Sequence, residues 1–335
     1  MFGLLAVLAV TSGCMIVHAN LGLWDSDDQM YEHRVLGPHK AASKVLMMDI
    51  AGLISTDTSS GFLGGHEPSL PERVRETLEA ARKDDTIKAL LLRINSPGGG
   101  ITATDIIFNE LERYKEDKDI PVVACLTEMA ASGGYYLACA SDRIVAHPTS
   151  LTGAIGVIAN AFNLEELLDK VGVEHVAMKS GDKKDMGSLF RTMTEEEKAI
   201  FESIIDDSQQ RFLEVVDAGR PNLDRDQVLA LADGRVFSAT QAKEAGLVDE
   251  LGYLENAFET AKRVAELDDA ALVIYSHRDE GIHNLYSPTA SAQLGASTPG
   301  GLQQQLLQLL KTSVAQNRAP LLYVWPGAFG TSVAY

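Results

Sequence analysis

Apolar runs of strand length alternate with helix-length segments through most of this chain, and this alternation limits the folds open to it. The run at residues 87–94 is nearly uninterrupted, as is typical of a parallel strand buried on both faces. We predict strands at residues 44–50, 87–94, 121–126, 143–146 and 174–178. We predict helices at residues 69–83, 101–115, 194–217, 226–232, 239–245 and 253–266, and a small-residue helix from Ser132. Capping boxes at Ser69 and Thr194 indicate where the first and third of these helices begin. The alternation indicates an α/β architecture with crossover connections.

Length and composition indicate one acidic domain with appendages. The chain has 335 residues, of which 45% are hydrophobic, so it can bury a sizeable core. The net charge of −18 argues against a nucleic-acid partner, whose phosphates require a basic face. Since no internal repeat is visible, we predict one domain at residues 44–276. A linker at 25–43 precedes it, and a flexible linker at 277–301 and a tail at 302–335 follow it.

The N-terminal segment differs from the acidic average, because residues 2–24 contain no Asp, Glu, Lys or Arg. About 20 apolar residues are enough to cross a membrane as a helix. We favour a signal anchor. The alternatives are a cleaved export signal, which here lacks a basic n-region, and a lipoprotein signal ending at Cys14. The absence of Lys and Arg directly after the run favours export of the residues that follow.

A glycine-rich turn, residues 95–100, lies between a predicted buried strand and a predicted helix. Consecutive backbone N–H groups at the positive end of a helix suit an oxyanion or a phosphate. The turn lacks the GxGxxG spacing and the Lys-Ser/Thr pair of nucleotide sites, so a nucleotide is disfavoured. Taken alone, the segment could equally be a tight turn without catalytic function.

A second strand-to-helix turn carries Ser132, flanked by alanines and glycines. Such a serine can project its hydroxyl into a cleft with little steric cover. The alternative is a structural one, in which Ser132 is the N-cap of a closely packed helix.

A serine nucleophile needs a base that takes its proton. Neither His147, before a proline at a strand end, nor His175, within a predicted strand, lies in a convincing motif. A lysine can serve instead when its surroundings favour the neutral amine, and residues 179–185 contain three lysines. No His, Cys, Asp or Glu cluster has metal-ligand spacing, so we expect neither metal nor cofactor.

Together these segments resemble the signal peptide peptidase SppA family in its short, single-domain form. The resemblance covers about residues 44–276 and is carried by six segments in the family's order. They are RINSPGGG (93–100), MAASGGYY (129–136), LTGAIGV (151–157), KSGDKKD (179–185), DGRVF (233–237) and AGLVDELG (245–252).

The resemblance implies a peptidase with a serine–lysine dyad on a ClpP/crotonase-like fold, a repeated ββα superhelix with additional C-terminal helices. By motif, Ser132 matches the nucleophile and Lys184 the general base, with Lys179 as the second candidate. Gly98 and Gly99 match the oxyanion hole, to which Gly133 would add a donor.

In several family members a serine after the Thr-Gly pair orients the lysine. Here that residue is Ala154, so Thr152 is the nearest hydroxyl left for the role.

The resemblance also implies partners and a location. Nucleophile and base would meet across a subunit interface in a homo-oligomeric ring or dome, with eight subunits as one arrangement. The substrates would be apolar peptides, above all remnant signal peptides. The catalytic domain would face the extracytoplasmic side of a membrane, held there by the single N-terminal segment that contacts the lipid bilayer. An acyl-CoA enzyme of the crotonase class, an inactive membrane scaffold and a ClpP-like Ser-His-Asp protease are the rival interpretations.

Overall fold

A computed structural model describes residues 30–57, 59–60, 66–276, 282, 284–287 and 321–324. The predicted membrane segment at 2–24, with Cys14, lies outside the described residues. So do most of the 277–301 linker and most of the 302–335 tail. Among the described helices, none is long and apolar enough to cross a membrane.

A nine-stranded sheet forms the centre of the part of the chain that the structure describes. Its middle strands are parallel: β2 (Lys44–Ala51), β5 (Ile87–Ser96), β7 (Val122–Ala131) and β8 (Arg143–Ala146). Leu90 and Leu92 of β5 point into one apolar cluster, whereas Leu91 points into a second cluster on the opposite face. The apolar run at 87–94 is thus buried on both faces, as its pattern predicted.

The sheet continues beyond its parallel centre on both sides. Its remaining strands are β1 (Tyr31–Leu36), β9 (Leu151–Gly153), β11 (Val236–Ser238), β12 (Glu250–Leu251) and β13 (Ala271–Ser276). Strand β1 pairs antiparallel with β13. Part of the segment that we expected to be a linker, residues 25–43, is therefore an edge strand of the sheet.

Helices cover both faces of the sheet. They are α1 (Leu70–Arg82), α2 (Ile101–Lys118), α3 (Gly133–Ala138), α4 (Glu165–Val171), α5 (Glu195–Gly219), α6 (Arg225–Leu231), α7 (Ala239–Glu244) and α8 (Leu254–Val264). The larger apolar cluster takes residues from α1, α2, α3 and α5, and the smaller one is closed by α8. The capping boxes predicted at Ser69 and Thr194 are present, which fixes where α1 and α5 begin.

Two small sheets lie apart from the main one. Strands β3 (Ser59–Ser60) and β4 (His66–Glu67) form a hairpin. Strands β6 (Gly98–Gly100), β10 (Ile158–Ala159) and β14 (Leu321–Val324) form a three-stranded sheet in the order β10-β14-β6. Part of the apolar tail is therefore packed against the glycine-rich turn.

The predicted strand at residues 174–178 is wrong. The segment forms no regular secondary structure and pairs with no described strand, and its side chains, including Val176 and Met178, are exposed. The ring of His175 packs against Phe190, with centroids 4.8 Å apart. The segment belongs to a mostly exposed stretch, residues 160–192, that precedes α5 and is called the arm below.

Candidate active site

Ser132 is held in a strained turn where β7 ends and α3 begins. Its φ is +53°, a value that non-glycine residues rarely adopt. The turn is fixed by its backbone, because Ser132 N–H donates to Gly153 O at 2.7 Å and Tyr136 N–H donates to Ser132 O at 2.9 Å. Backbone strain of this kind costs about 1–3 kcal/mol and is concentrated at functional sites.

The Ser132 hydroxyl does not cap the helix that it precedes. No side-chain bond joins it to the first turn of α3, so the structural alternative considered from the sequence is not observed. Ser132 is 1% exposed, and its Oγ has no hydrogen-bond partner among the described residues. A buried hydroxyl without a partner costs about 1–3 kcal/mol. The side chain is therefore placed at the expense of stability, as expected for a reacting group.

The glycines that follow β5 bring two backbone segments close together. A Cβ on Gly98 would lie 2.7 Å from the nitrogen of Gly133, and a Cβ on Gly99 would lie 2.0 Å from the carbonyl oxygen of Ile54. Gly98 also has a φ of +99°. Larger residues are excluded at both positions, which explains why the sequence has glycines here.

The N–H of Gly98, one of the expected oxyanion donors, has a hydrogen-bond partner within the chain. It donates to Ser96 Oγ at 3.1 Å, and that hydroxyl donates to Gly52 O at 2.6 Å. The N–H of Ile54 donates to Gly98 O, and the carbonyl oxygen of Ile54 accepts from the N–H of Gly100, so Ile54 lies along one edge of β6. Because the backbone groups of successive residues in a strand point to alternate edges, the N–H of Gly99 points to the opposite edge. The N–H that faces the cleft is thus that of Gly99. Sequence reasoning missed the buttressing role of Ser96, although it lies within the motif.

Strand β14 occupies the cleft in front of these glycines. It pairs antiparallel with β6, so that Tyr323 lies opposite Gly99, and its other edge pairs with β10. The carbonyl oxygen of Tyr323 would lie 1.9 Å from a Cβ on Gly98 and 3.1 Å from one on Gly133. A peptide carbonyl of the chain itself therefore lies beside the glycines expected to bind an oxyanion.

The Tyr323 side chain fills an aromatic pocket next to Ser132. Its ring stacks on Tyr136 at a centroid distance of 5.3 Å and contacts Phe212 at 4.9 Å. The Tyr323 hydroxyl donates to the backbone oxygen of Ser208 in α5 at 2.7 Å. Burial raises the pKa of Tyr323, so this hydroxyl remains a donor. The pocket accepts a large aromatic side chain and offers an acceptor at its end.

A charged cluster fixes the wall of this pocket. The Tyr136 hydroxyl donates to Asp105 Oδ1 at 2.5 Å, and the same oxygen accepts from Arg211 Nη2 at 3.0 Å. Burial, together with the hydrogen bond to Asp105, raises the pKa of Tyr136. The ring that lies against Tyr323 is thus held in place by α2 and α5.

The three lysines at residues 179–185, of which Lys184 and Lys179 are the candidate bases, differ in their contacts. Lys179 Nζ donates to Asp182 O at 3.1 Å and to Asp185 Oδ1 at 2.8 Å, and Lys183 pairs with Glu196 at 2.5 Å. No described residue forms a hydrogen bond or ion pair with Nζ of Lys184, whose side chain is exposed. Lys184 is therefore the one lysine of the three that no described residue binds.

The expected nucleophile, Ser132, and the expected base, Lys184, form no hydrogen bond with each other within one chain. Ser132 Oγ has no partner in the described part of the chain, and the turn that carries Lys184 lies in the exposed arm. Thr152 is fully buried in β9, and its hydroxyl donates to Ala130 O at 2.7 Å, which leaves only acceptor capacity. Among the described residues, no group of three or more His, Cys, Asp or Glu side chains could hold a metal ion.

Comparison with known proteins agrees with this geometry. Residues 114–268 match the family model of Peptidase family S49, and residues 62–152 match that of Clp protease. A protein of Enterococcus faecium whose name assigns it to signal peptide peptidase SppA is 37% identical over 71% of this chain and 68% of its own length.

Two further relatives are longer than this chain. Serine protease SPPA, chloroplastic, of Arabidopsis thaliana is 32% identical over 71% of this chain and 35% of its own length. Protease 4 of Haemophilus influenzae is 30% identical over 81% of this chain and 43% of its own length.

The fold and the site define a serine peptidase with a ClpP-like α/β fold. Within that class, the chain belongs to peptidase family S49, the family of signal peptide peptidase SppA. The resemblance drawn from the six sequence segments is thereby confirmed. Peptide hydrolysis follows for this chain, whereas the base, the assembly and the natural substrate require further argument.

Proposed function

We propose that the protein is a membrane-associated endopeptidase that uses Ser132 and Lys184 as a dyad to cleave extended apolar peptides such as remnant signal peptides. One observation supports this most directly: the buried, strained and unpartnered Ser132 hydroxyl lies beside a glycine-lined slot of peptide width. The names of relatives in the family support the same substrate class.

In the proposed mechanism Ser132 is the nucleophile, and Lys184 acts first as a base and then as an acid. Neutral Lys184 takes the proton of Ser132, and Oγ attacks the peptide carbonyl. The N–H groups of Gly99 and Gly133 stabilise the oxyanion, each contributing roughly 10²–10³ in rate. The ammonium of Lys184 then protonates the leaving amine, and water releases the acyl group from Ser132.

Substrates would bind as an added β-strand. Strand β14 already lies between β6 and β10 in an antiparallel register, which supports a slot that recognises backbone groups. In this alignment the residue before the cleaved bond takes the place of Tyr323, in the pocket formed with Tyr136 and Phe212. We therefore expect a preference for tyrosine at that position.

The base would come from a neighbouring subunit. The arm that carries Lys184 exposes large apolar side chains: Phe162, Leu167, Val171, Val173, Val176 and Met178. Such a concentration is unusual for a free surface and is typical of an interface. A second copy that covered this arm could bring Lys184 to Ser132. A closed ring or dome satisfies this requirement at every subunit, and the eight-membered form implied by the family is one such arrangement.

The membrane location rests on residues 2–24, which lie outside the described residues, and on the family resemblance. An uncharged segment of that length would hold the acidic catalytic domain beside apolar substrates on the extracytoplasmic side.

The dyad is tested by activity of the full-length chain on a fluorogenic apolar peptide with tyrosine before the cleaved bond. We expect Ser132→Ala and Lys184→Ala each to lower kcat by at least about 10³-fold. Lys183→Ala is the matched control, since it removes the adjacent lysine, and it should retain most of the activity. Full turnover by Ser132→Ala or Lys184→Ala would overturn the dyad assignment.

A further inference from the structure

We propose that Arg191 is a positioning residue for Lys184: its guanidinium ties the exposed turn that carries this lysine to the first turn of α5. The inference rests on the proposed function, because it assumes that Lys184 is the base. It adds a residue that neither the sequence motifs nor the similarity to S49 peptidases single out.

The turn with Lys184 needs an external support. Residues 181–188 are joined by short-range backbone bonds, from Lys184 N–H to Gly181 O, Met186 N–H to Lys183 O and Ser188 N–H to Asp185 O. These bonds shape the turn but do not fix it to the rest of the domain. Two side chains of the turn provide that connection. Lys183 pairs with Glu196 of α5 at the exposed surface, and Asp185, directly after Lys184, makes a more buried pair with Arg191.

Arg191 binds two carboxylates at once. Its Nε and Nη2 donate to the two oxygens of Asp185 at 2.9 and 2.7 Å. Its Nη1 and Nη2 donate to the two oxygens of Glu197 at 2.8 and 2.5 Å. A fifth bond runs from Nη1 to Thr192 O at 3.2 Å. All five N–H donors of the guanidinium are therefore used, an arrangement that a lysine ammonium cannot reproduce.

Glu197 is part of a rigid element. It is 2% exposed, and it closes the capping box of α5 by accepting from Thr194 N–H at 2.9 Å. The far end of the same helix is anchored in the core by Phe212 and Val216. A turn bound to Glu197 is thus held in a fixed position relative to the sheet, although it is itself exposed.

Asp185, Arg191 and Glu197, together called the clamp below, stay charged over a wide pH range. Hydrogen bonds from Arg191 and then Lys179 hold the pKa of Asp185 well below its usual range. Hydrogen bonding to Arg191, above all, lowers the pKa of Glu197 to about 2. Both carboxylates stay charged at any pH at which the peptidase could work, so the clamp persists through the catalytic cycle.

The same helix provides a matched control at its opposite end. Arg220, the C-cap of α5, forms a two-bond fork to Asp249, with both distances 2.9 Å, and also donates to Gly246 O. Both arginines hold α5 through carboxylate forks, but only Arg191 is bound to the turn with Lys184. A purely structural role predicts similar consequences for both, whereas a positioning role predicts different ones.

The test compares Arg191→Lys, Asp185→Asn and Arg220→Lys in the full-length chain. The measurements are kcat, KM and assembly state with the fluorogenic peptide, and the thermal midpoint. A misplacement of about 1 Å can cost about 10²-fold in rate, so we expect kcat to fall by about 10- to 10²-fold in Arg191→Lys and Asp185→Asn. KM should stay unchanged, because the slot does not include these residues. The assembly state should stay unchanged because both variants keep the exposed apolar side chains of the arm that the proposed interface uses. Arg220→Lys should lower the midpoint but keep kcat within about twofold.

The outcomes separate this inference from the proposed function on which it rests. If Lys184→Ala is inactive while Arg191→Lys and Asp185→Asn keep wild-type kcat, the clamp has no positioning role and the dyad stands. If Lys184→Ala retains wild-type kcat, the dyad itself is wrong. A loss of kcat in Arg191→Lys that parallels a loss of assembly, or that Arg220→Lys matches, would also overturn the positioning role.

Discussion

At the scale of single residues, several groups of the site are held in arrangements that lower the stability of the fold. Ser132 combines a left-handed backbone with a buried hydroxyl that has no partner among the described residues. Gly98 and Gly99 allow three backbone segments to approach more closely than any side chain would permit. The surrounding sheet must offset these costs, and the residues directly follow two of its central, largely buried strands, β5 and β7.

Removing the Ser132 hydroxyl should stabilise the protein while abolishing its activity. Alanine keeps the same backbone strain, so Ser132→Ala removes only the unsatisfied group and should raise the free energy of unfolding by about 1 kcal/mol. The comparison is best made by urea unfolding in a Lys184→Ala background, where no base can bond to the hydroxyl. A loss of about 1 kcal/mol would instead show that the hydroxyl has a structural partner.

The clamp should also leave a mark on acid stability. The pKa of Glu197 in the folded chain is about 2, below its ordinary value of 4.5. The contribution of Glu197 to the free energy of unfolding is therefore complete above about pH 4.5 and is lost as the pH falls toward 2. We expect Glu197→Gln to flatten the pH dependence of stability in that window, as measured by urea unfolding at several pH values. An unchanged slope would show that Glu197 is not held ionised by folding.

At the scale of elements, the sequence predicts what depends on local pattern. Apolar runs and capping boxes identified the parallel strands and the starts of α1 and α5, because these signals lie within a few residues. The segment 174–178 has a strand-like composition but no strand beside it, so a local pattern could not reveal that it belongs to an exposed arm. The choice of Ser132 likewise followed from local chemistry joined to family resemblance.

Strand β14 lay beyond sequence reasoning for a different reason. It has four residues, and its partner β6 is more than 200 positions away in the sequence. Neither its length nor its composition indicates which edge it would bind. Only the assembled fold shows that the slot between β6 and β10 accepts a peptide strand, and that its pocket accepts tyrosine.

Weakening β14 should open the slot to added peptides. Tyr323→Ala removes a fully buried ring, which costs about 3–5 kcal/mol of packing and should release the strand. Strand β14 belongs to the same chain and therefore competes with added peptides for the slot at a high effective concentration. Its release should lower KM for the fluorogenic peptide while kcat stays near wild type. Tyr286→Ala, which removes an exposed tyrosine, is the control and should change neither. An unchanged KM in Tyr323→Ala would mean that substrates bind elsewhere.

At the scale of the whole molecule, one chain holds both halves of the proposed dyad but does not join them. Ser132 is buried next to the slot, and Lys184 stands on an arm whose apolar side chains are uncovered. Both features have the same explanation if neighbouring copies cover the arm and complete the site. The sequence alone placed these residues 52 positions apart and could not show whether one chain or two would bring them together.

The most direct measurement mixes Ser132→Ala and Lys184→Ala subunits under conditions that allow exchange. A shared site needs its serine from one variant and its lysine from the other, so random assembly of equal amounts completes about a quarter of the sites. We predict a peptidase activity of about a quarter of wild type from two proteins that are each inactive. A mixture that stays inactive, although mass spectrometry shows mixed assemblies, would contradict a dyad shared between subunits.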